Sequence, residues 1–291
     1  MHDSPLRGRT VVVTGAARGL GAALAGELAD RGAQVALLGH EKAALERVAA
    51  ALPTPALALE TDITDIDALR AAAHIVRTEL GRPSVVVANA GIAEAGPLST
   101  ADPRSWRRVV EVNLTGSALT AQTFLADLVH TRGYYLQIAS LAAVGAVPMM
   151  SAYCASKAGA ESFAQALRAE IAHEGVAVGI AYLNWVDTDM IHDADSHPAL
   201  GDLRAMLPPP ARRVLPVAPV AHRLARAVER RRTSVYVPEW VRLAQLGRGL
   251  LAPVISRRAR AHYARRAAGR PAEQSGPLGA GGLADHALPD R

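Results

Sequence analysis

The sequence predicts an α/β protein: a doubly wound parallel sheet in a single domain, followed by a basic helical C-terminal extension. Three observations predict it. Short apolar or β-branched runs alternate with helical patterns from residue 10 to residue 183. The first run, Thr10–Thr14, passes at once into a glycine-rich turn and a helix start. Half of the 291 residues are hydrophobic, enough to fill such a core without cross-links. Cys154 is the only cysteine, so neither an intrachain disulfide nor a cysteine-based zinc site is available.

Taken in order, T-V-V-V-T at 10–14 has the length and branching of a buried strand. Gly15, Ala17, Arg18, Gly19, Leu20 and Gly21 follow it, and Leu24 and Leu28 then share a helix face. Such a turn lets backbone approach an anion closely, and the helix amino end offers it unpaired N–H groups. A second strand over 34–38 ends at Gly39, His40 and Glu41. In dinucleotide-binding sheets an acid at the end of strand two favours a free ribose 2′-hydroxyl. Here Gly39 and His40 stand at that point, with Arg18 in the turn, a set that suits a 2′-phosphate and therefore NADP(H) over NAD(H). Glu41, one position on, would reverse that preference if it were the residue at the ribose.

A helix over 42–52, a proline break and a strand at 56–59 come next, and Asp62 opens the turn before a helix over 67–80. The strand at 84–88 ends in Asn89, Ala90 and Gly91, small residues past which a ligand can lie, although Asn89 also reads as a simple turn residue. One helix is expected over 103–130. It carries Asn113 within the apolar pattern of Val109, Val110, Val112 and Leu114, where a hydrogen-bonding role, structural or functional, is required.

Residues 138–157 hold the candidate chemistry. Ser140 closes the apolar strand 135–140. Tyr153 and Lys157 are four apart in a proline-free helix over 151–173, so they share a face. An ammonium beside a phenol favours the phenolate, which would draw Tyr153 towards neutrality and suit it to proton transfer at a carbonyl or alcohol. Lys157 is one of two lysines in an arginine-rich chain, the other being Lys42. A strand over 176–183 leads to Asn184, Val186 and Thr188. The proline-rich segment 191–219 reads as an irregular substrate loop; His192, Asp195 and His197 within it fit a polar loop as well as a ligand set, and no metal is expected.

The end of the chain changes character. After a helix over 220–232 and a strand at 234–237, residues 238–270 form a basic helical extension. Between 204 and 270 there are sixteen arginines against only Glu229 and Glu239, which leaves the rest net acidic although the whole chain is +5. Alternating apolar residues and arginines suit an acidic membrane surface, a partner subunit or simple solvation; nucleic acid is disfavoured for want of a reading motif. Residues 271–291 are Gly-, Ala- and Pro-rich and are expected to be disordered. With no apolar run in residues 1–9 and no uninterrupted apolar stretch of about 18 residues, a cytoplasmic protein is expected.

Together, T-G-A-A-R-G-L-G at 14–21, N-A-G at 89–91, Asn113, Ser140 and Y-x-x-x-K at 153–157 resemble the short-chain dehydrogenase/reductase family, over roughly residues 9–237. The resemblance implies a Rossmann-like fold and an NAD(P)-dependent oxidoreductase acting on a small-molecule secondary alcohol or ketone. It implies that Tyr153 transfers the proton, that Lys157 lowers its pKa and holds the nicotinamide ribose, and that Ser140 binds the substrate oxygen. Asn113 would fix a water in the proton path, Asp62 and Ile63 would lie near the adenine, Asn89 near the ribose, and Thr188 beside Val186 near the carboxamide. A homodimer or homotetramer is implied through the helices around 113 and 157. Apolar residues of the loop, Met190, Leu200, Met206 and Leu207, suggest a hydrophobic substrate. The chain departs from the family where Leu183-Asn184 replaces the usual Pro-Gly, a turn Asn184 could preserve by adopting a left-handed backbone. A non-catalytic dinucleotide-binding protein on the same fold is the competing reading.

Overall fold

The computed structural model describes residues 4–196, 204, 207, 209–266 and 274–286. Seven parallel strands form one sheet in the order β3-β2-β1-β4-β5-β6-β7. They are β1 (Thr10–Thr14), β2 (Gln34–Gly39), β3 (Ala56–Glu60), β4 (Pro83–Ala88), β5 (Tyr134–Ser140), β6 (Ala177–Leu183) and β7 (Ser234–Val237). The order reverses between β1 and β4, where the carboxyl ends of neighbouring strands diverge and leave a crevice for a ligand.

Alternation along the strands sends side chains into two separate cores. Val11, Val13, Val35, Leu37, Val85 and Val87 pack on one face, under α1 (Gly19–Ala29) and a later helix, Val217–Glu229. Val12, Ala36, Leu38, Val86 and Ala88 pack on the other, against α3 (Ile66–Glu79), Gly116–Thr131 and Ser151–Ile171. Both faces being covered explains why the strands read as continuous apolar runs rather than as alternating ones. α2 (Lys42–Ala50) lies beside β3.

Where one helix was expected over 103–130, there are α4 (Pro103–Val110), a π-turn at Glu111–Thr115 and α5 (Gly116–Thr131). The π-turn contains Asn113, whose side chain is held across the sheet end, and a wider turn accommodates that pull. α6 is Ser151–Ile171. The segment read as an irregular loop is helical at α7 (Asp189–Ser196) and α8 (Pro209–Arg212), with α9 at Val217–Glu229. Leu200 and Met206 lie outside the described residues. The basic extension forms α10 (Val241–Leu246) and α11 (Arg248–Arg266).

The expectation of a disordered tail is corrected over 274–286. This stretch docks as an added segment ending in α12 (Gly279–His286). Pro277 bridges Glu94, the Ser275 and Leu278 amides donate to the Ala95 and Ala93 carbonyls (2.8 and 2.9 Å), and Leu278 is 3 % exposed. Its composition lacks the apolar mass to fold alone, yet small residues let its backbone lie close against a groove already built by other elements.

Candidate active site

The glycine turn between β1 and α1 forms the floor of the crevice. A Cβ on Gly21 would stand 2.1 Å from the Gly15 carbonyl oxygen and 2.6 Å from Asn89 Nδ2, so only glycine fits where turn, helix and β4 end converge. Asn89 ties these parts together: its Nδ2 donates to the Thr14 and Gly15 carbonyls (3.0 and 3.1 Å), and its amide donates to Thr14 Oγ1 (3.1 Å). α1 has no side-chain cap and no acid in its first turn. Its amino end is thus free of an internal anion, as a phosphate-binding helix requires.

All the residues expected at the cofactor except Asp62 line one cleft of about 250 Å³, running from Arg18, Gly39 and His40 past Ile63, Ala90 and Gly91 to Val186 and Thr188. Asp62 is turned aside. Its Oδ1 accepts from the Thr64 amide and hydroxyl (2.8 and 2.7 Å), and Oδ2 pairs with Arg108 (3.2 Å). Burial raises its pKa, but these hydrogen bonds and the charges of Arg108 and His40 bring it below the usual carboxylate value. Arg18 is ion-paired with Glu41, and His40 Nε2 lies 3.3 Å from Asp285.

At the other end of the cleft, Ser140 leaves β5, and its Oγ accepts from the Ala142 amide (3.1 Å). Tyr153 and Lys157 project from one face of α6 as their spacing predicts; the Lys157 Nζ lies 5.8 Å from the Tyr153 ring centroid and donates to the Ile138 carbonyl (3.3 Å). The expected pull of the ammonium on the phenol is not the dominant effect. Burial raises the Tyr153 pKa, a hydrogen bond with Ser140 lowers it, and neighbouring Cys154 raises it again. The same burial lowers Lys157 to about 8, since one apolar setting penalises phenolate and ammonium alike. The arrangement can hold a proton on Tyr153 at neutral pH and offer it to an oxygen that Ser140 also reaches.

Asn113 does not line the cleft. Its Oδ1 accepts from the Ile92 amide (2.8 Å), and its Nδ2 donates to the Ile92 carbonyl and Ser156 Oγ (both 2.9 Å), so the fully buried side chain fastens the loop after β4 to α6. Asn184 uses no left-handed backbone; the non-glycine residues with positive φ among those described are Arg132, Met149 and Arg231. Instead its amide donates to the Val237 carbonyl (2.9 Å), and Nδ2 donates to the Ala211 and Arg213 carbonyls (3.3 and 3.1 Å). It anchors α8 and the residue after it to the sheet. In that loop His192 pairs with Asp187 (2.6 Å) and Asp195 with Arg204 (2.5 Å), while His197 lies outside the described residues.

A second cavity of about 260 Å³ opens from Ser140 and Tyr153 away from the cleft. Its walls are apolar (Leu141, Val147, Met150, Trp185, Trp240, Ile255), with Arg258 on the rim. Sequence reasoning missed most of this wall because α10 and α11 supply part of it from 100 residues downstream of Ser140. It also missed Arg108 and Asp285. The single acid of the stretch 274–286 was the only signal for the latter.

A sheet whose switch point carries a glycine cradle, beside a Ser, Tyr and Lys set, defines a dinucleotide-dependent oxidoreductase scaffold. The family model described as short chain dehydrogenase matches residues 9–199. The chain belongs to that family, whose members act on CH–OH groups with NAD(P). It is 37% identical to cis-4-hydroxycyclohexanecarboxylate dehydrogenase of Sinomonas cyclohexanicum over 188 residues, covering 63% of this chain and 75% of that protein. It is 33% identical to D-threitol dehydrogenase of Mycolicibacterium smegmatis over 210 residues, 71% of this chain and 81% of that protein. A crystal structure of a short-chain type dehydrogenase/reductase from Mycobacterium marinum superposes with a TM-score of 0.71 at 26% identity, covering 79% of this chain and 94% of that one.

Proposed function

We propose that this protein is an NADP(H)-dependent oxidoreductase that interconverts a hydrophobic secondary alcohol and its ketone. The observation that carries the reading is the meeting of two cavities at Ser140 and Tyr153, one walled by the glycine cradle and the other by apolar side chains. When bound, the nicotinamide supplies or accepts the hydride. The chain's own part is to hold the substrate oxygen at Ser140 Oγ, to carry its proton on the Tyr153 phenol and to exclude water with the apolar wall. Lys157, beneath Gly91 and the cleft floor, is a partner for ribose hydroxyls and a route for the proton onward. Asn113 is a positioning residue that sets the loop carrying Gly91.

The apolar wall supports a cyclic or branched aliphatic alcohol, and Arg258 on the rim would take a carboxylate at its far end. A relative named for a hydroxycyclohexanecarboxylate agrees with that pairing of ring and acid. The NADP(H) preference rests on Arg18, His40 and the missing acid at Gly39, with Glu41, which also lines the cleft, held by Arg18. Turnover of hydroxycyclohexanecarboxylates against the unsubstituted alcohols, each with NADP+ and NAD+, tests substrate and cofactor together. Equal turnover of acid and unsubstituted alcohol would remove Arg258 from the reading.

Self-association through α5 and α6 belongs to the same proposal, as does a cytoplasmic location with peripheral membrane contact. Among the described residues no helix is long and apolar enough to cross a membrane. Leu243, Leu246 and Leu250 are exposed on α10 and α11, whose sequences carry arginines and no acid, features that suit an anionic lipid surface.

A further inference from the structure

The segment 274–286 runs the length of the cofactor cleft. It is pinned near the catalytic end by the loop after β4 and by α7, where the Gly279 amide donates to Asp193 Oδ2 (2.8 Å). Gly279 has φ +77°, and a Cβ there would stand 2.7 Å from the Met190 amide nitrogen, so this approach admits glycine alone. α12 then lines the cleft and carries Asp285 to the opposite end, beside His40 at the end of β2. The Asp285 side chain is 2 % exposed. Arg108 donates to it through Nη2 (2.7 Å) and Nε (3.0 Å), and His40 Nε2 stands 3.3 Å away. Burial raises the Asp285 pKa, but His40 and Arg108 together hold it below the ordinary carboxylate value.

His40 is thus already engaged by an anion carried on the chain's own tail. The other basic group of the cleft, Arg18, is engaged by Glu41, which sits in the turn between β2 and α2, and lies 3.6 Å from Asp189. With the segment docked, the groups around Arg18, His40 and Arg108 include Glu41, Asp62, Glu111, Asp189 and Asp285, and a dianionic phosphate entering there meets more carboxylates than cations. Of these acids Asp285 is the one carried by the added tail segment, which contributes no strand to the sheet.

We propose that Asp285 is an internal counter-ion for the 2′-phosphate position, so that the docked tail segment and NADP(H) compete for His40 and Arg108 while NAD(H) leaves the segment in place. The proposal deepens the NADP(H) reading and rests on it for the identity of the cations. A ligand shifts such an equilibrium only by its different affinity for the two states, and the 2′-phosphate is the group that supplies the difference. NADP(H) binding therefore exposes the tail, and the tail raises the concentration of NADP(H) needed to fill the site.

The test uses adenosine 2′,5′-bisphosphate and ADP as probes, with the full-length protein and its Asp285→Asn variant. Arg108 keeps Asp62 and Glu111 as partners in that variant, which protects the fold. The expected result is about tenfold tighter binding of the 2′,5′-bisphosphate in Asp285→Asn, with ADP changed by less than about twofold. In the wild type the bisphosphate, and not ADP, should speed amide exchange across 276–286. Unchanged bisphosphate affinity in Asp285→Asn would overturn the proposal, as would a loss of ADP binding, which would make Asp285 a direct contact of the nucleoside. A wild type that prefers ADP while the variant prefers the bisphosphate sustains the proposal and refutes the NADP(H) preference. A wild type that prefers the bisphosphate, matched by an unchanged variant, does the reverse.

Discussion

Tyr153 and Lys157 share a setting that opposes charge on either of them. A phenol whose pKa is raised by burial is protonated at neutral pH and, in the proposed reaction, would give its proton to a ketone oxygen. Ketone reduction should therefore fall as pH rises through the phenol's titration while alcohol oxidation climbs, which initial rates in the two directions would check. Tyr153→Phe should lower turnover by roughly 10²- to 10⁴-fold with cofactor affinity little changed. Lys157 is 5 % exposed and drops to about 8 through burial. A base whose folded pKa is depressed destabilises the fold wherever the folded protein must keep it charged, so the cost is complete below about 8 and fades between there and its unfolded value of 10.5. Lys157→Met should accordingly raise stability by about 2 kcal/mol at pH 7, after allowing for the lost bond to Ile138, and the gain should shrink above pH 8. Denaturant titrations at pH 7 and 10 test that sign. An unchanged or lower stability at pH 7 would mean that Lys157 is held by partners strong enough to offset its burial.

Among the elements, α8 is tied to β6 through the side chain of Asn184. Asn184 joins β6 to the carbonyls of Ala211 and Arg213, and Asn184→Ala should cost about 1–2 kcal/mol. Because α8 and Leu207 border the apolar cavity, the same variant should raise KM for substrate more than it lowers kcat. The departure from Pro-Gly was visible in the sequence, but its physical meaning was not: a long-range side-chain bond leaves no local signature, whereas backbone tolerance is the local property a single residue suggests. The π-turn at Asn113 was hidden for a related reason, since apolar spacing over 103–130 fits a continuous helix and the pull from Ile92 comes from a different element. By contrast, the glycine turn, β1 to β6 and the Tyr–Lys face were legible because each is set by residues within a few positions of one another. For α10 and α11, Leu246→Asp with Leu250→Asp should reduce co-sedimentation with anionic vesicles several-fold; full retention would return these helices to solvent or to a partner subunit.

At the scale of the whole molecule, the sheet brings together at its carboxyl edge residues from 15 to 285. A core of the family fold carries the cradle and the Ser, Tyr and Lys set; the extension after β7 adds walls to the apolar cavity, and the tail adds part of the lining of the cleft. Composition could mark the extension as basic and the tail as poor in apolar residues, but docking onto a surface built elsewhere is a property of the assembled fold and of no single stretch. On the proposed function, the two cavities meeting at Tyr153 form one site for hydride transfer. The most direct measurement is single-turnover reduction of 4-oxocyclohexanecarboxylate by NADPH bound to the enzyme, following nicotinamide fluorescence in the wild type and in Tyr153→Phe. Oxidation of the bound nicotinamide is expected in the wild type, slowed at least about a hundredfold in the variant although both bind NADPH equally. Equal rates in the two proteins, or tight NADPH binding with no oxidation against this and other apolar ketones, would contradict it.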